Sequence, residues 1–262
     1  MTASLALLFL YGLAVGISLG LTGGGGSIIT VPLLVYLVGE PVHTAIATSL
    51  VIVGSISLIG FAGRLRQADT FAGFALGLAG FFGAAPGRIA AEHFSGRTLL
   101  FLFALIMVVA SVAMFRSQTY AHDRAQPRRW LLIFLGGAGI GFLTGLLGVG
   151  GGFLIVPVLV LLLGMPMRSA IPTSLLVIGM NCLASLAGLM LLRHRGTSIA
   201  GTIDWHVAAF FLAGGIGGNL VGAAIARAAD QRALKRIFAV FVFCVGMFVA
   251  ASASGLVPLA VK

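Results

Sequence analysis

Two hydroxyl pairs stand at matched places in this chain: Thr48-Ser49 in AIATSL, Ala45–Leu50, and Thr173-Ser174 in AIPTSL, Ala170–Leu175. Each pair lies one or two turns into a long apolar segment. Hydroxyls there could donate to an oxyanion, or each could bond the carbonyl four residues back in its own helix. Upstream of each pair is a cluster of glycines, TGGGGS at Thr22–Ser27 and GVGGG at Gly148–Gly152. Glycine brings bare N–H groups close to a ligand, and the helix that starts after each cluster has a partially positive N-terminus. Gly23, Gly24, Gly25, Gly26 and Ser27, with Gly148, Gly150, Gly151 and Gly152, are therefore grouped with Thr48, Ser49, Thr173 and Ser174 as a binding site for a small anion. The alternative is that the glycines only permit close helix contact. Packing is the reading taken for Gly12, Gly16 and Gly20, spaced by four.

The elements that must position these residues are membrane helices. Sixty per cent of the chain is hydrophobic and 8 per cent charged, against about 25 per cent charged in soluble domains. Uncharged stretches such as Trp130–Met167 and Ser169–Leu192 pass the ~18 residues at which a spanning helix is the default. The fold class is an all-α polytopic membrane protein. The net charge of +10 comes from basic residues in short connections, the pattern of cytoplasmic loops. No basic face is available for nucleic acid. No Walker motif occurs, and no base lies deep enough to serve an intramembrane nucleophile, so the chain is not read as an enzyme. Neither a cofactor nor a metal site is implied. Cys182 and Cys244 are read as buried small hydrophobes. The first residues, MTASLALLFLYGLAVG, lack a basic leader and are read as a retained membrane segment rather than a cleaved signal.

Self-comparison gives the organisation. At an offset of 125, Gly12–Gly63 lies on Gly137–Gly188 without a gap, matching the glycine clusters, Val31-Pro32 with Val156-Pro157, and both TSL triplets. The offset then becomes 135, so that Asp69, Gly83, Gly87 and Arg97 meet Asp204, Gly218, Gly222 and Arg232. Residues 1–115 and 130–262 are thus two homologous transmembrane repeats joined by a polar linker, 116–129. Each repeat holds five hydrophobic pieces, in the first at roughly 4–22, 27–38, 42–63, 70–91 and 98–115. The pieces 27–38 and 152–163 are short, either Gly-assisted spans or re-entrant half-helices.

Five crossings per repeat would make the repeats inverted. That arrangement puts Arg64, Arg66, Arg168, Arg227, Arg232, Lys235 and Arg236 on the linker side with Arg116, Arg124, Arg128 and Arg129. Only Arg88, Arg97, Arg193, Arg195 and Lys262 are then opposite, whereas four crossings divide the sixteen basic residues almost evenly. The positive-inside rule favours the inverted arrangement, with the linker cytoplasmic. Paired Gly/Pro interruptions in two halves point to a transporter's substrate site.

The segment GLLGVGGGFLIVPVLVLLLGMPMRSAIPTSLLVI resembles the signature of the sulfite exporter TauE/SafE family, and GLTGGGGSIITVPLLVYLVGEPVHTAIATSLVIV is similar in the same order. The resemblance covers essentially the whole chain. It implies a secondary transporter, an exporter, of sulfite or organosulfonates in a bacterial-type inner membrane. By motif position the implied site draws on Gly23–Gly26 with Thr48 and Ser49, and on Gly148–Gly152 with Thr173 and Ser174. Ser27 departs from the second half, which has Gly152. The expected partners are a small anionic substrate and the lipid bilayer, with homo-oligomerisation left open. A passive anion channel, or a membrane subunit of a larger complex, is the alternative.

Three cations flank the site in sequence. His43 precedes AIATSL, Arg168 occupies its place in the second half, and Arg88 follows Ala85-Pro86-Gly87. These are candidate gate or anion-attracting residues, with interfacial anchoring as the alternative. The six acids, Glu40, Asp69, Glu92, Asp123, Asp204 and Asp230, all fall at segment ends or in loops. Coupling through a buried carboxylate is therefore not expected, and an anion uniporter or a substrate that carries its own proton is the sequence-based expectation.

Overall fold

The structure is a computed structural model and describes residues 5–91, 96–116, 129–147, 152–194 and 203–253. Those residues are almost entirely helical, with no strand among them. The helices are α1 Leu5–Thr22, α2 Gly25–Pro32, α3 Val42–Ala62, α4 Thr70–Ala91, α5 Gly96–Arg116, α6 Arg129–Leu147, α7 Gly152–Pro157, α8 Met167–His194, α9 Trp205–Ala228 and α10 Gln231–Ala253. Five are long and apolar enough over their described residues to cross a membrane: α1, α3, α8, α9 and α10. Large apolar side chains cover the outer faces, among them Phe74, Leu78, Phe81 and Phe82 on α4 and Phe134 and Leu135 on α6. Such a surface suits a lipid environment.

The short helices end alike. Pro32 and Pro157 lie inside the helical runs and supply no N–H to the ladder. After each proline the helix widens to a π turn, Leu33–Val38 and Val158–Leu162. The Glu40 N–H then bonds the Leu34 carbonyl, and the Met165 N–H bonds the Leu159 carbonyl, each at 3.0 Å. Gly39 and Gly164, at φ 84° and 62°, reverse the chain in a left-handed conformation that favours glycine. Gly25–Val38 rises about 20 Å at ~1.5 Å per residue, short of a ~30 Å hydrocarbon core.

Glycines set the helix pairs. α1 and α9 run parallel with backbones in contact: a methyl at Gly12, Gly16 or Gly20 would strike the carbonyl of Phe211, Gly215 or Asn219. Gly214, Gly218 and Gly222 return the contact against Phe9, Leu13 and Ile17. The packing reading of Gly12, Gly16 and Gly20 agrees with this small-xxx-small seam. α4 and α6 are parallel too, Gly137 facing Leu76 and Gly141 facing Gly80. α3 and α8 are antiparallel, since Gly54 meets Cys182 while Gly179 meets Leu58. α5 and α10 are antiparallel as well: Gly246 lies against Ala104 and Met107, and the Ser111 hydroxyl donates to the Ala239 carbonyl at 2.7 Å.

One expectation about the core is corrected. Cys182 is buried, but Cys244 is exposed on the outer face of α10. An apolar segment in a membrane protein can face lipid, so hydrophobic surroundings in sequence do not imply burial in protein.

Candidate functional site

The first glycine cluster does break a helix. α1 stops at Thr22, whose hydroxyl donates to the Ser18 carbonyl at 2.7 Å and accepts the Gly25 N–H at 3.0 Å. Gly23 takes φ 73°, a conformation an L side chain would strain, and Gly25 opens α2. The freed Gly23 carbonyl accepts from Ser174 on α8 at 2.6 Å. The Ser174 oxygen also lies 2.7 Å from the Ile171 carbonyl, so its single proton serves one acceptor at a time. A methyl at Gly24 would run into the Gly152 carbonyl at the start of α7. The first interruption therefore touches the start of α7, and the N-terminal ends of α2 and α7 meet there. Gly25 and Gly26 pack back on α1, against Ser18 and Leu19. The Ser27 side chain and Gly148, Gly150 and Gly151 lie outside the described residues, as do the side chains of His43 and Arg88.

Thr48, Ser49, Thr173 and Ser174 are all buried. Ser49 donates to the Ile46 carbonyl at 2.8 Å and Thr173 to the Ser169 carbonyl at 2.7 Å, so those protons stay within their own helices. Both threonines also act as acceptors. Thr173 Oγ1 takes the backbone N–H of Asp69 at 2.9 Å, and Thr48 Oγ1 takes that of Asp204 at 3.3 Å. Each aspartate in turn caps a helix. The Asp69 carboxylate accepts from Ala72 N–H on α4, and that of Asp204 from His206 and Val207 N–H on α9. Anionic caps at the positive ends of helices are stabilising.

Arg168 does not point at the hydroxyls. It is exposed, and it donates to the Arg227 and Ala229 carbonyls near the end of α9 at 3.2 and 3.4 Å. The buried cation at the break is instead Arg64, just past α3. Its guanidinium donates to the Gly60 carbonyl at 3.1 Å, the Gly20 carbonyl at 2.9 Å and Asn219 Oδ1 at 3.0 Å. Burial, and secondarily the Arg227 charge, lower its pKa to about 10; it stays charged at neutral pH. Arg64 thus satisfies the last carbonyls of α1 and α3. Sequence spacing offered no sign of this, because Arg64 reads as an ordinary loop cation.

Glu40 stands in a loop, as the sequence has all six acids in loops or at segment ends, yet it is buried. It lies in the loop Gly39–Pro41, is only 8 per cent exposed, and neither carboxyl oxygen has a well-formed hydrogen bond. Desolvation, then the Asp204 carboxylate, raise its pKa to about 7, and the nearby Thr48 hydroxyl opposes them. The loop is folded under the N-terminus of α9, which no reading of loop position predicts. Its one visible signal is that the matched residue in the second half is Met165. Among the described residues no group of three His, Cys, Asp or Glu could hold a metal.

A family model described as sulfite exporter TauE/SafE matches residues 8–249. The chain belongs to that family. A "Probable membrane transporter protein" of Xylella fastidiosa (strain 9a5c) is 36 per cent identical over 250 residues, covering 90 per cent of each chain. The "Probable membrane transporter protein YunE" of Bacillus subtilis (strain 168) is 26 per cent identical over 275 residues, 93 per cent of this chain and 96 per cent of the relative. No solved structure matches the chain significantly. This TauE/SafE member is a multi-pass membrane transporter and not an enzyme.

Proposed function

We propose that the chain is a secondary transporter that exports a small sulfur-containing anion, sulfite or an organosulfonate, across a bacterial-type inner membrane. The observation that carries this is the contact of Gly24 with Gly152, which brings the N-terminal ends of α2 and α7 together inside the protein. Irregular backbone at such a depth is tolerated where it is enclosed by protein or lines a cavity, and paired half-helix N-termini suit an anionic group. The sulfur class rests on the family description. Gly23–Gly26, Ser27 and Gly148–Gly152 would form the backbone of the site, with Thr48, Ser49, Thr173 and Ser174 around it. In the arrangement described, three of these hydroxyls donate to carbonyls, so substrate would have to draw them away.

The accompanying reading is that residues 1–115 and 130–262 are inverted repeats about the 116–129 linker. Helix direction supports it. With an even number of crossings per repeat, the matched helices α3 and α8 would run the same way, and so would α5 and α10. Both pairs are antiparallel.

Uptake of labelled sulfite, thiosulfate, sulfoacetate and taurine into proteoliposomes tests the function, with chloride and acetate as controls. Saturable flux of a sulfur anion, lost in the Thr48→Ala/Thr173→Ala double variant, is the expected result. Equal leakage of every anion would make the protein a channel. No flux of any would point to a subunit awaiting its complex.

A further inference from the structure

The two threonine–aspartate contacts are seams between different helices. Thr48 joins α3 to the cap of α9, and Thr173 joins α8 to the cap of α4. Each threonine lies near the start of its helix, and α3 and α8 are antiparallel. The seams therefore sit at opposite ends of that helix pair, one towards each face of the protein.

They differ in one respect. Beside the Thr48–Asp204 seam lies Glu40, buried and without a well-formed hydrogen bond to either carboxyl oxygen. The residue matched to Glu40 in the second half is Met165, which is buried and uncharged. A buried carboxylate without a well-formed hydrogen bond is costly, and the Asp204 carboxylate nearby adds repulsion. One proton removes both costs, because it neutralises Glu40 and makes its carboxyl a donor. We propose that Glu40 is a proton-binding site that controls the Thr48–Asp204 seam, so that transport is linked to proton binding at one face of the membrane.

The linkage deepens the transport reading and rests on it. With the proton on Glu40, the O–H bond formed there leaves a single negative charge, on Asp204, and the seam closes. When the proton returns to water, two carboxylates face each other and the α9 cap separates from α3. The raised pKa of Glu40, about 7, puts this exchange in the physiological range. The other titratable groups on the packed elements are few. At the N-terminal end of α9 they are the capping Asp204 itself and the exposed His206, while Arg227 lies at the opposite end of that helix. Tyr36 on the π turn of α2 and His43 on α3 have side chains outside the described residues. For Asp69, at the far seam, the position matched to Glu40 is Met165 rather than a second acid.

The test uses the full chain in proteoliposomes with labelled ethanesulfonate, a strong-acid anion whose own charge does not change near pH 7. The parent protein is expected to change its counterflow rate about tenfold between roughly 1.5 units below and above pH 7, and to accumulate the anion when a pH gradient is imposed. Glu40→Gln and Glu40→Met, the latter copying the second half, are expected to flatten the profile and lose the pH-driven accumulation. An unchanged profile in both variants would overturn the proposal, and so would accumulation driven by a sodium gradient but not by a pH gradient. Absence of counterflow in the parent would count against transport of sulfonates, not against the proton site. Infrared spectra read that site without substrate: a protonated-carboxyl band that grows below pH 7 in the parent and is missing in Glu40→Gln supports it. Identical bands in the two proteins would refute it.

Discussion

Thr173 accepts the backbone N–H of Asp69 at 2.9 Å while donating to its own Ser169 carbonyl at 2.7 Å, so one hydroxyl ties α8 to the capping residue of α4. Thr173→Val keeps the shape and removes both bonds. A donor left unpaired in a buried seam costs about 1–3 kcal/mol. Thermal unfolding of the detergent-solubilised variant should show a lower Tm, and Thr173→Ser should recover most of the loss.

Backbone contact between α1 and α9 leaves no room for a methyl. Gly16→Ala would meet the Gly215 carbonyl and force the helices apart, at a cost of roughly 1–3 kcal/mol. Gly139 on α6 has nothing within 4 Å of the same added atom. Gly139→Ala is expected to be neutral or to stabilise by up to ~1 kcal/mol. Yield of monodisperse protein and Tm, compared for the two variants, check the difference.

Arg64 holds three acceptors on three helices. Lysine keeps the charge but lacks the planar fork. Arg64→Lys is expected to lose about 2 kcal/mol or more, since hydrogen bonds to a charged group are worth ~1.5–3 kcal/mol. A Tm as high as the parent's would mean that the guanidinium geometry is dispensable.

Glu40 makes stability depend on pH. Its folded pKa, about 7, lies above the ordinary value of 4.5, so the folded state binds the proton more tightly than the unfolded chain. Its contribution is fully present below pH 4.5, declines as pH rises towards 7, and is lost above that. The measurement is Tm against pH for the parent and Glu40→Gln. The difference between the curves should change sign of slope nowhere and level off above pH 7; a gain in relative stability of the parent with rising pH would contradict the assignment.

An added methyl at Gly24 would run into the Gly152 carbonyl, so its substitution acts on the contact between α2 and α7. Gly24→Ala should separate α2 from α7 while leaving helix content intact. The expected effect is a roughly tenfold rise in the half-saturating concentration for uptake, equivalent to ~1.4 kcal/mol of binding. Circular dichroism alongside the uptake assay distinguishes this from misfolding.

The helices were legible in the sequence to within a few residues, because membrane spans need long uncharged apolar runs and such runs are visible without knowing any partner. A boundary less legible is that of α10, which begins at Gln231; its first two turns carry Arg232, Lys235 and Arg236, charges that hide a helix start from a search for uncharged runs. The glycine break at Gly23–Gly24 and the small-residue packing of Gly12, Gly16 and Gly20 were also legible, since glycine's lack of a side chain is a local property. Pairing across the chain was not. That Thr48 and Thr173 accept N–H groups from Asp204 and Asp69 depends on which helix ends meet, and hydroxyls of one type can serve either their own helix or a distant one. Burial of Glu40 and Arg64 was equally hidden. A charge in a short loop is exposed or enclosed according to what folds over it, and only the tertiary structure brings the α9 terminus over Glu40 and the α1 carbonyls to Arg64.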